Sequence, residues 1–186
     1  MWGCLTHSHN LRFFLIDRKK VQDYNKLLMI IHYNNILFVC TGNTCRSIMA
    51  EGLLKKILLE NASEKPYFTN IKVLSSGIYA TDGTPPTDEA IKVMQQIGID
   101  ISNHRSRRLT KQMVLSADII LVMEVKHIEA VCSISQNALN KTWLLRQSDK
   151  KENSLEIPDP LRKPLEVYEE CRLMIESALR KLIKKL

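Results

Sequence analysis

The sequence lacks any apolar run that approaches the roughly 20 residues needed to cross a lipid bilayer, so we expect a soluble protein with no membrane partner. Aromatic residues are also few, at 6% of the 186 residues. Nucleic-acid-binding surfaces usually interleave aromatic side chains with clustered basic ones, whereas the lysines and arginines here are scattered along the chain. The formal net charge of +7 therefore favours anionic partners in general, and we expect no nucleic-acid partner.

The cysteine pattern does not indicate a secreted disulfide framework. The five cysteines form an odd number at irregular spacing, which is typical of a reducing compartment, so we expect a cytoplasmic protein. Four residues separate Cys40 from Cys45, whereas a thioredoxin-like redox pair has two. A zinc site would need a second pair of ligands nearby, and the remaining cysteines and histidines are scattered. We therefore predict neither a metal nor another cofactor.

Residues 1–34 precede the first convincing strand pattern and do not resemble a targeting segment. The apolar run at 13–16 is shorter than a signal-peptide core, and charged residues follow it directly. We predict an N-terminal extension at 1–34, either non-native or disordered, and a single folded domain at 35–186. Because Met29 lies just before the first predicted strand, we hypothesise that the natural product starts there.

From residue 35 onward, strand and helix patterns alternate. Short apolar runs, typical of strands buried on both faces of a parallel sheet, occur at 36–39 and 119–122, and two further strands are predicted at 71–74 and 142–145. The small residues at 75–77 are predicted to close the second strand. Helices are predicted after the first strand, between a Thr87 N-cap and Gly98, and after residues 158–160. These elements predict an α/β fold, a single-domain three-layer sandwich with a four-stranded parallel sheet and helices on both faces.

The segment after the first strand carries the residues that indicate a chemistry. It runs Val39-Cys40-Thr41-Gly42-Asn43-Thr44-Cys45-Arg46-Ser47. Ligands of open α/β sheets bind at the carboxyl ends of strands, and a tight turn that enters a helix offers backbone N–H groups and positive helix charge to an anion. Arg46 adds a planar guanidinium that matches two phosphate oxygens. Gly42 and Asn43 are residue types that tolerate the left-handed backbone of such a turn.

A thiol at the centre of this turn is expected to ionise easily, which makes Cys40 a candidate nucleophile. The Ser47 hydroxyl can donate a further hydrogen bond to its sulfur. The same donors would then hold the oxygens of a transferring phosphoryl group. We therefore predict a phosphate-binding loop formed around Cys40 and Arg46 by Thr41, Gly42, Asn43, Thr44, Cys45 and Ser47.

The extended string around Cys-x5-Arg-Ser, with Met-Ala-Glu at 49–51, resembles the low-molecular-weight protein tyrosine phosphatase family. Residues 104–110 and 158–160 match later family segments in the expected order, so the resemblance covers about residues 35–186. It implies that Cys40 is the nucleophile, Arg46 the phosphate clamp and Asp159 the general acid. It also implies that Cys45 can form a reversible protective disulfide with the nucleophile. A role in holding the loop in shape is implied for four residues: Asn43, Ser47, Ser75 and His104.

The implied reaction hydrolyses a phosphorylated protein through a phosphocysteine intermediate, without a metal. Tyrosine-specific members of the family usually have a bulky aliphatic residue where this chain has Thr44, and a threonine there is similar to the protein-arginine phosphatase branch. Tyr79 resembles the aromatic wall of that branch, and Leu161 stands where an aromatic residue is common in both branches. We therefore expect phosphoarginine rather than phosphotyrosine as the substrate, with Tyr79 and Leu161 as wall residues.

Three alternatives stay open. The first is a low-molecular-weight protein-tyrosine phosphatase. The second is a thiol-dependent arsenate reductase, which needs resolving cysteines near the nucleophile, a role for which only Cys132 is a candidate. The third is a catalytically silent phosphate-binding regulator, suggested by Ile48 at a position where the family has proline. Proline in the first helical turn pre-sets φ, so Ile48 predicts a slightly looser loop.

Overall fold

A computed structural model describes residues 34–147 and 154–184 of the chain. The extension predicted at 1–34 and the hypothetical start at Met29 therefore lie, apart from Asn34, outside the described residues. Four strands are present: β1 (Asn35–Cys40), β2 (Lys72–Gly77), β3 (Ile119–Val122) and β4 (Thr142–Leu144). The helices are α1 (Arg46–Glu60), α2 (Asp88–Gln95), α3 (Lys111–Ser116), α4 (Val125–Ile134) and α5 (Leu165–Ile183), with short 3₁₀ turns at Pro66–Asn70 and Gln136–Lys141.

The four strands form one parallel sheet in the order β2-β1-β3-β4. Helix α5 packs against α1 and α2, whereas α3 contacts α4, so the helices form two layers around the sheet. This confirms the predicted single-domain α/β sandwich. None of the helices in the two described segments combines the length and apolar character required to traverse a lipid bilayer.

Burial explains why the central strands formed where the apolar runs predicted them. All four residues of β3 and five of the six in β1 are buried. Phe38 and Val39 have no exposed surface. Each such side chain contributes about 1.5–3 kcal/mol when it is removed from water, so the two central strands anchor the carboxyl edge of the sheet, where β1 ends at Cys40.

The second strand corrects one prediction. Residues 75–77 do not close β2 but continue it, because Ser75 and Ser76 pair in register with Phe38 and Val39 of β1. Gly77 pairs with Cys40, and a Cβ atom on Gly77 would lie 2.7 Å from the Thr41 carbonyl oxygen. Glycine is therefore required at this position, since the strand end and the following loop approach each other backbone to backbone.

The boundaries of α2 were predicted in part. Thr87 is its N-cap, as predicted, and the Thr87 Oγ1 accepts a hydrogen bond of 3.3 Å from the Ala90 N–H. The helix ends at Gln95 rather than at Gly98. Gly98 follows in a left-handed turn (φ 73°), where its N–H donates to the Gln95 carbonyl at 2.9 Å.

Candidate active site

The predicted loop connects the end of β1 to the start of α1. Cys40 is the last residue of the strand, Cys45 occupies the N-cap position, and α1 begins at Arg46. The first four N–H groups of a helix have no partner within the helix, so the start of α1 directs its donors and its positive end at the space enclosed by the loop. Ile48 lies within this first turn and is buried.

Two hydrogen-bond donors converge on the buried sulfur of Cys40. The Asn43 N–H lies 3.2 Å from Sγ, and the Ser47 Oγ lies 3.0 Å from it. The Asn43 side-chain amide donates to the same Ser47 oxygen at 2.9 Å. Because that oxygen already accepts a hydrogen bond from the amide, the Ser47 hydroxyl is oriented to donate its own hydrogen bond to the sulfur.

Asn43 is the centre of a group that we call the Asn43 network, consisting of the buried residues Asn43, Ser47, Glu51 and Ser75 and the half-buried His104. Its Nδ2 donates to the Ser75 Oγ at 2.9 Å as well as to Ser47, and the Ser75 hydroxyl donates to Glu51 at 2.6 Å. The His104 Nε2 lies 3.2 Å from the Asn43 Oδ1 and 3.2 Å from its carbonyl oxygen, so this nitrogen is the donor. Burial lowers the pKa of His104, which favours the neutral ring.

The expected left-handed turn is made by one of the two residues predicted for it. Asn43 has φ 58°. Gly42 is not among the residues with positive φ, so that part of the prediction is wrong. A Cβ atom on Gly42 would meet only the Thr44 Oγ1, at an ordinary contact distance of 3.5 Å. Gly42 therefore leaves one side of the loop open, whereas Asn43 is the residue that turns the chain.

Arg46 is the centre of a second group, the Arg46 network, formed by Arg46, Thr41, Glu124 and Asp159. The Arg46 side chain is 1% exposed and forms ion pairs with both Glu124 and Asp159. Its Nη1 also donates to the Ile157 carbonyl at 3.0 Å and its Nη2 to the Thr41 Oγ1 at 3.3 Å. Together these contacts hold the plane of the guanidinium.

Charge dominates the electrostatics of Arg46. Burial lowers the pKa of Arg46, but the electrostatic interactions with Cys40, Glu124 and Asp159 raise it by more than burial lowers it, so the net effect is a raised pKa. Its Nε is buried and has no hydrogen-bond partner among residues 34–147 and 154–184. An anion in the loop would supply an acceptor for this nitrogen, because a guanidinium binds an oxyanion through two parallel N–H groups.

Asp159 is held at both carboxylate oxygens. Oδ2 pairs with Arg46, and Oδ1 accepts a hydrogen bond of 3.2 Å from the Leu161 N–H. The chain just before Asp159 is anchored at Ile157, whose N–H donates to the Met123 carbonyl at 2.8 Å. With 36% of its side chain exposed, Asp159 stands between the buried guanidinium and solvent.

Cys45 lies on the buried side of the loop and is 4% exposed. Its sulfur is 3.7 Å from the Tyr168 hydroxyl and 3.6 Å from the Thr87 Oγ1. Burial raises the pKa of Cys45. Cys40 and Cys45 are both free thiols in this structure, so the protective disulfide stays a prediction. Tyr168 is core, as predicted, although its hydroxyl also contacts the loop.

The predicted wall residues lie at the rim. Tyr79 is 72% exposed, and its N–H donates to the Thr41 carbonyl at 2.9 Å, which ties the residue to the loop. Leu161 is 47% exposed and is tied to Asp159. Thr44 is half-buried, and its carbonyl accepts from the Thr87 N–H at 3.1 Å. The structure thus brings all the predicted site residues to one edge of the sheet.

Two site residues were missed by the sequence reasoning. Glu124 pairs with Arg46, and His127 lies with its Nε2 3.1 Å from the Thr41 Oγ1. Both follow β3 directly, at the same carboxyl edge as the end of β1. Because ligands bind at the carboxyl ends of parallel strands, the end of the third predicted strand is the sequence signal that points to both residues.

Comparisons with known proteins agree with this geometry. Residues 35–186 match the sequence profile of the family described as low molecular weight phosphotyrosine protein phosphatase. The chain is 35% identical over 156 residues to the low molecular weight protein-tyrosine-phosphatase Etp of Escherichia coli K12, covering 84% of this chain and 97% of that protein. It is also similar to the crystal structure of the Erwinia amylovora tyrosine phosphatase AmsI, with TM-score 0.74, 34% identity and coverage of 84% of this chain and 95% of that one.

A further similar structure is the YwlE arginine phosphatase from Geobacillus stearothermophilus, with TM-score 0.70 and 34% identity. That match covers 82% of this chain and 92% of the other. Relatives with tyrosine and with arginine phosphatase names are thus similar to the chain at nearly the same identity.

Proposed function

Because the chain belongs to the low molecular weight phosphotyrosine protein phosphatase family, whose members are cysteine-dependent phosphatases, we propose that it removes phosphate from proteins through a phosphocysteine intermediate at Cys40. The observation that carries the proposal is the convergence of donors on one sulfur beside a buried guanidinium. We assign Cys40 as nucleophile, Arg46 as phosphate clamp and Asp159 as general acid. The proposed catalytic domain spans residues 35–186, and the odd number of irregularly spaced cysteines supports a cytoplasmic location.

The proposed reaction has two steps. The Cys40 thiolate attacks phosphorus in line, the bond from phosphorus to the leaving group breaks, and Asp159 gives its proton to the leaving group. Water then attacks the phosphorus of the phosphocysteine while Asp159 accepts a proton from it, the S–P bond breaks, and inorganic phosphate leaves with the Cys40 thiolate restored. The phosphoryl oxygens take over the guanidinium N–H groups of Arg46, so substrate binding exchanges the ion pair with Asp159 for one with phosphate and releases the carboxyl group.

Phosphotyrosine is the substrate class that the curated relatives support, because Etp and AmsI carry tyrosine phosphatase names. Tyr79 is exposed and tied to the loop through Thr41, and Leu161 is exposed and tied to Asp159, so both offer surface against which a flat phenol ring could pack. Phosphoarginine is the second candidate. It is favoured by Thr44, a small polar side chain at the rim of the loop, and by the likeness to the YwlE arginine phosphatase.

The test of the proposal is the replacement of the nucleophile. Cys40→Ser should abolish hydrolysis of para-nitrophenyl phosphate, because a serine hydroxyl in this loop is a far weaker nucleophile than a thiolate. Cys132→Ser, on α4 and outside the loop, serves as the matched control and should retain wild-type turnover. Full activity in Cys40→Ser would refute the assignment. Arsenate reduction coupled to thioredoxin, measured in parallel, distinguishes a redox enzyme from a phosphatase, and a silent regulator would turn over neither substrate.

The two substrate classes are separated by a panel of phosphotyrosine and phosphoarginine peptides. If Thr44 favours a guanidinium, Thr44→Ile should shift the ratio of kcat/KM values toward phosphotyrosine. An unchanged ratio would count against any selective role of Thr44.

A further inference from the structure

His127 is a fully buried residue that the proposed reaction does not use. It lies in the first turn of α4 and has no exposed surface. Its Nδ1 is 3.1 Å from the Glu124 backbone N–H, and its Nε2 is 3.1 Å from the Thr41 Oγ1. A buried imidazole with a partner at each nitrogen is held in a single orientation.

These partners determine which nitrogen carries the proton. The backbone N–H of Glu124 can only donate, so Nδ1 accepts and is unprotonated. The neutral ring therefore has its proton on Nε2, which donates to Thr41. Burial and the positive charge of Arg46 lower the pKa of His127 to about 4, with Lys126 acting in the same direction and Glu124 opposing. The ring is thus neutral near pH 7.

Thr41 receives a second hydrogen bond on the same oxygen. The Arg46 Nη2 lies 3.3 Å from Oγ1, and a guanidinium has no acceptor atom. A hydroxyl group has two lone pairs and one proton. Because both lone pairs accept here, the remaining capacity of Thr41 is to donate its proton.

The position of Thr41 directs that proton toward the reaction. Thr41 directly follows Cys40 and is partly exposed. The Arg46 Nη2 that donates to it also pairs with Asp159. The hydroxyl therefore lies beside the part of the guanidinium that substrate oxygens would occupy when they displace Asp159.

Resting on the proposed phosphatase function, we propose that the Thr41 hydroxyl is a further donor to the transferring phosphoryl group and that His127 is the positioning residue that orients it. Charge on the phosphoryl oxygens is best stabilised by donors that are already oriented before the reaction begins. Without the Nε2–H of His127, one lone pair of Thr41 is free, and the hydroxyl can rotate away from the substrate.

Thr41 is tested by a pair of variants that differ in the hydroxyl. Thr41→Val keeps the shape and removes the donor, so kcat should fall on the order of 10²-fold while KM changes much less. Thr41→Ser keeps the donor and should remain within a few fold of the wild type. Thr41→Val with wild-type kcat would overturn the proposal.

His127 is tested by variants that separate its two hydrogen bonds. In His127→Asn the amide oxygen can still accept from the Glu124 N–H, but no donor reaches Thr41. We therefore expect kcat to fall by about 10-fold, which is smaller than the loss expected when the Thr41 hydroxyl itself is removed. His127→Gln is long enough to place an amide N–H near Thr41 and should recover part of that loss. Because both residues act through one proton, the double variant Thr41→Val/His127→Asn should be no slower than Thr41→Val alone. Losses that multiply would overturn the positioning role.

A binding measurement separates failure of this proposal from failure of the proposed function. If the wild type shows no Cys40-dependent turnover, the proposed function fails, and the donor is then tested by calorimetric titration with orthovanadate. Thr41→Val should bind orthovanadate at least about 10-fold more weakly than the wild type and Thr41→Ser, as expected for a hydrogen bond to a charged group. Equal affinity in all three proteins would overturn the proposal. The same comparison of orthovanadate affinities tests the Thr41 donor even if His127→Asn does not fold.

Discussion

The two sides of the phosphate-binding loop are built from different interactions. The Asn43 network consists of hydrogen bonds among mostly buried groups. Asn43, Ser47 and Ser75 have no exposed surface, His104 is half-buried, and Glu51 is the one carboxylate. The Arg46 network consists of charges that extend from a buried guanidinium out to a carboxylate with 36% exposure. The first side therefore fixes the shape of the loop, and the second supplies its charge.

This difference predicts that the two sides control different observables. A buried donor or acceptor left without its partner costs about 1–3 kcal/mol, so changes in the Asn43 network should lower stability first. The Asp159 side chain is 36% exposed, and Glu124 stays paired with the buried Arg46 when Asp159 is removed, so the loss of Asp159 should cost little free energy of folding. Changes at Asp159 should therefore lower the rate and leave stability nearly unchanged.

Asp159→Ala should produce the largest effect. Loss of general acid–base catalysis lowers kcat by about 10²–10⁴-fold for a substrate with a poor leaving group, while the melting temperature should stay near that of the wild type. Asp118 is a suitable control, because it accepts three hydrogen bonds from Asn34 and Asn35 at the opposite, amino edge of the sheet. Asp118→Ala should lower stability without lowering kcat. A large drop in the melting temperature of Asp159→Ala would contradict the proposal that the Asn43 network controls stability and Asp159 controls the rate.

His127 should connect the two observables, because it supports the Arg46 network from inside the core. Its pKa is lowered from 6.5 in the unfolded chain to about 4, so the unfolded chain binds the proton more readily between these values. The stabilisation from neutral His127 is complete above pH 6.5 and is lost as the pH falls toward 4, by on the order of 3 kcal/mol. Urea denaturation at pH 7 and pH 4.5 should show a smaller loss in His127→Asn than in the wild type. Parallel losses in both proteins would rule out His127 as the source.

Ser75 and Ser76 give a smaller and cleaner test of the shape-determining side. They are adjacent in β2 and equally buried, but the Ser75 Oγ joins Asn43 to Glu51, whereas the Ser76 Oγ has no hydrogen-bond partner in the part of the chain that the structure describes. Ser75→Ala should cost about 1–3 kcal/mol of unfolding free energy, because it leaves buried partners unpaired. Ser76→Ala should be neutral or slightly stabilising. Chemical denaturation of both variants measures the difference, and equal costs would remove the special role of Ser75.

The sequence predicted the elements of the fold because each central strand is a continuous apolar run, and burial on both faces of a parallel sheet produces such runs. It predicted the boundaries of β2 less well. Small polar residues are typical of turns, yet Ser75 and Ser76 sit inside the strand because Ser75 has partners on α1 and in the loop that no local pattern reveals. Gly77 is likewise typical of a strand end, but the sequence does not reveal its role, which is to admit the backbone of the loop.

The same limit applies to the candidate site. The residues between Cys40 and Ser47 are contiguous, so their chemistry could be predicted from a short segment. Glu124 and His127 contact the loop across 78 and 86 residues of sequence. The end of the third predicted strand draws attention to their segment, but it does not reveal which residues of the loop they contact. Only the parallel register of β1 and β3, with Val39 opposite Val122, brings the two segments together.

Tyr79 should produce the smallest effect, because it belongs to neither network. It is 72% exposed, so Tyr79→Ala should change the unfolding free energy by less than about 0.5 kcal/mol. If its ring stacks against a substrate phenol, loss of a contact of about 0.5–1.5 kcal/mol should raise KM for a phosphotyrosine peptide by about 2- to 12-fold and leave kcat unchanged. Tyr79→Phe keeps the ring and should retain the wild-type KM. Leu59 is an exposed apolar residue on α1, outside the loop, so Leu59→Ala is the control for a non-specific surface effect. A change in kcat with Tyr79→Ala would place this residue in the reaction itself, because a rim that only binds substrate cannot alter the chemical step.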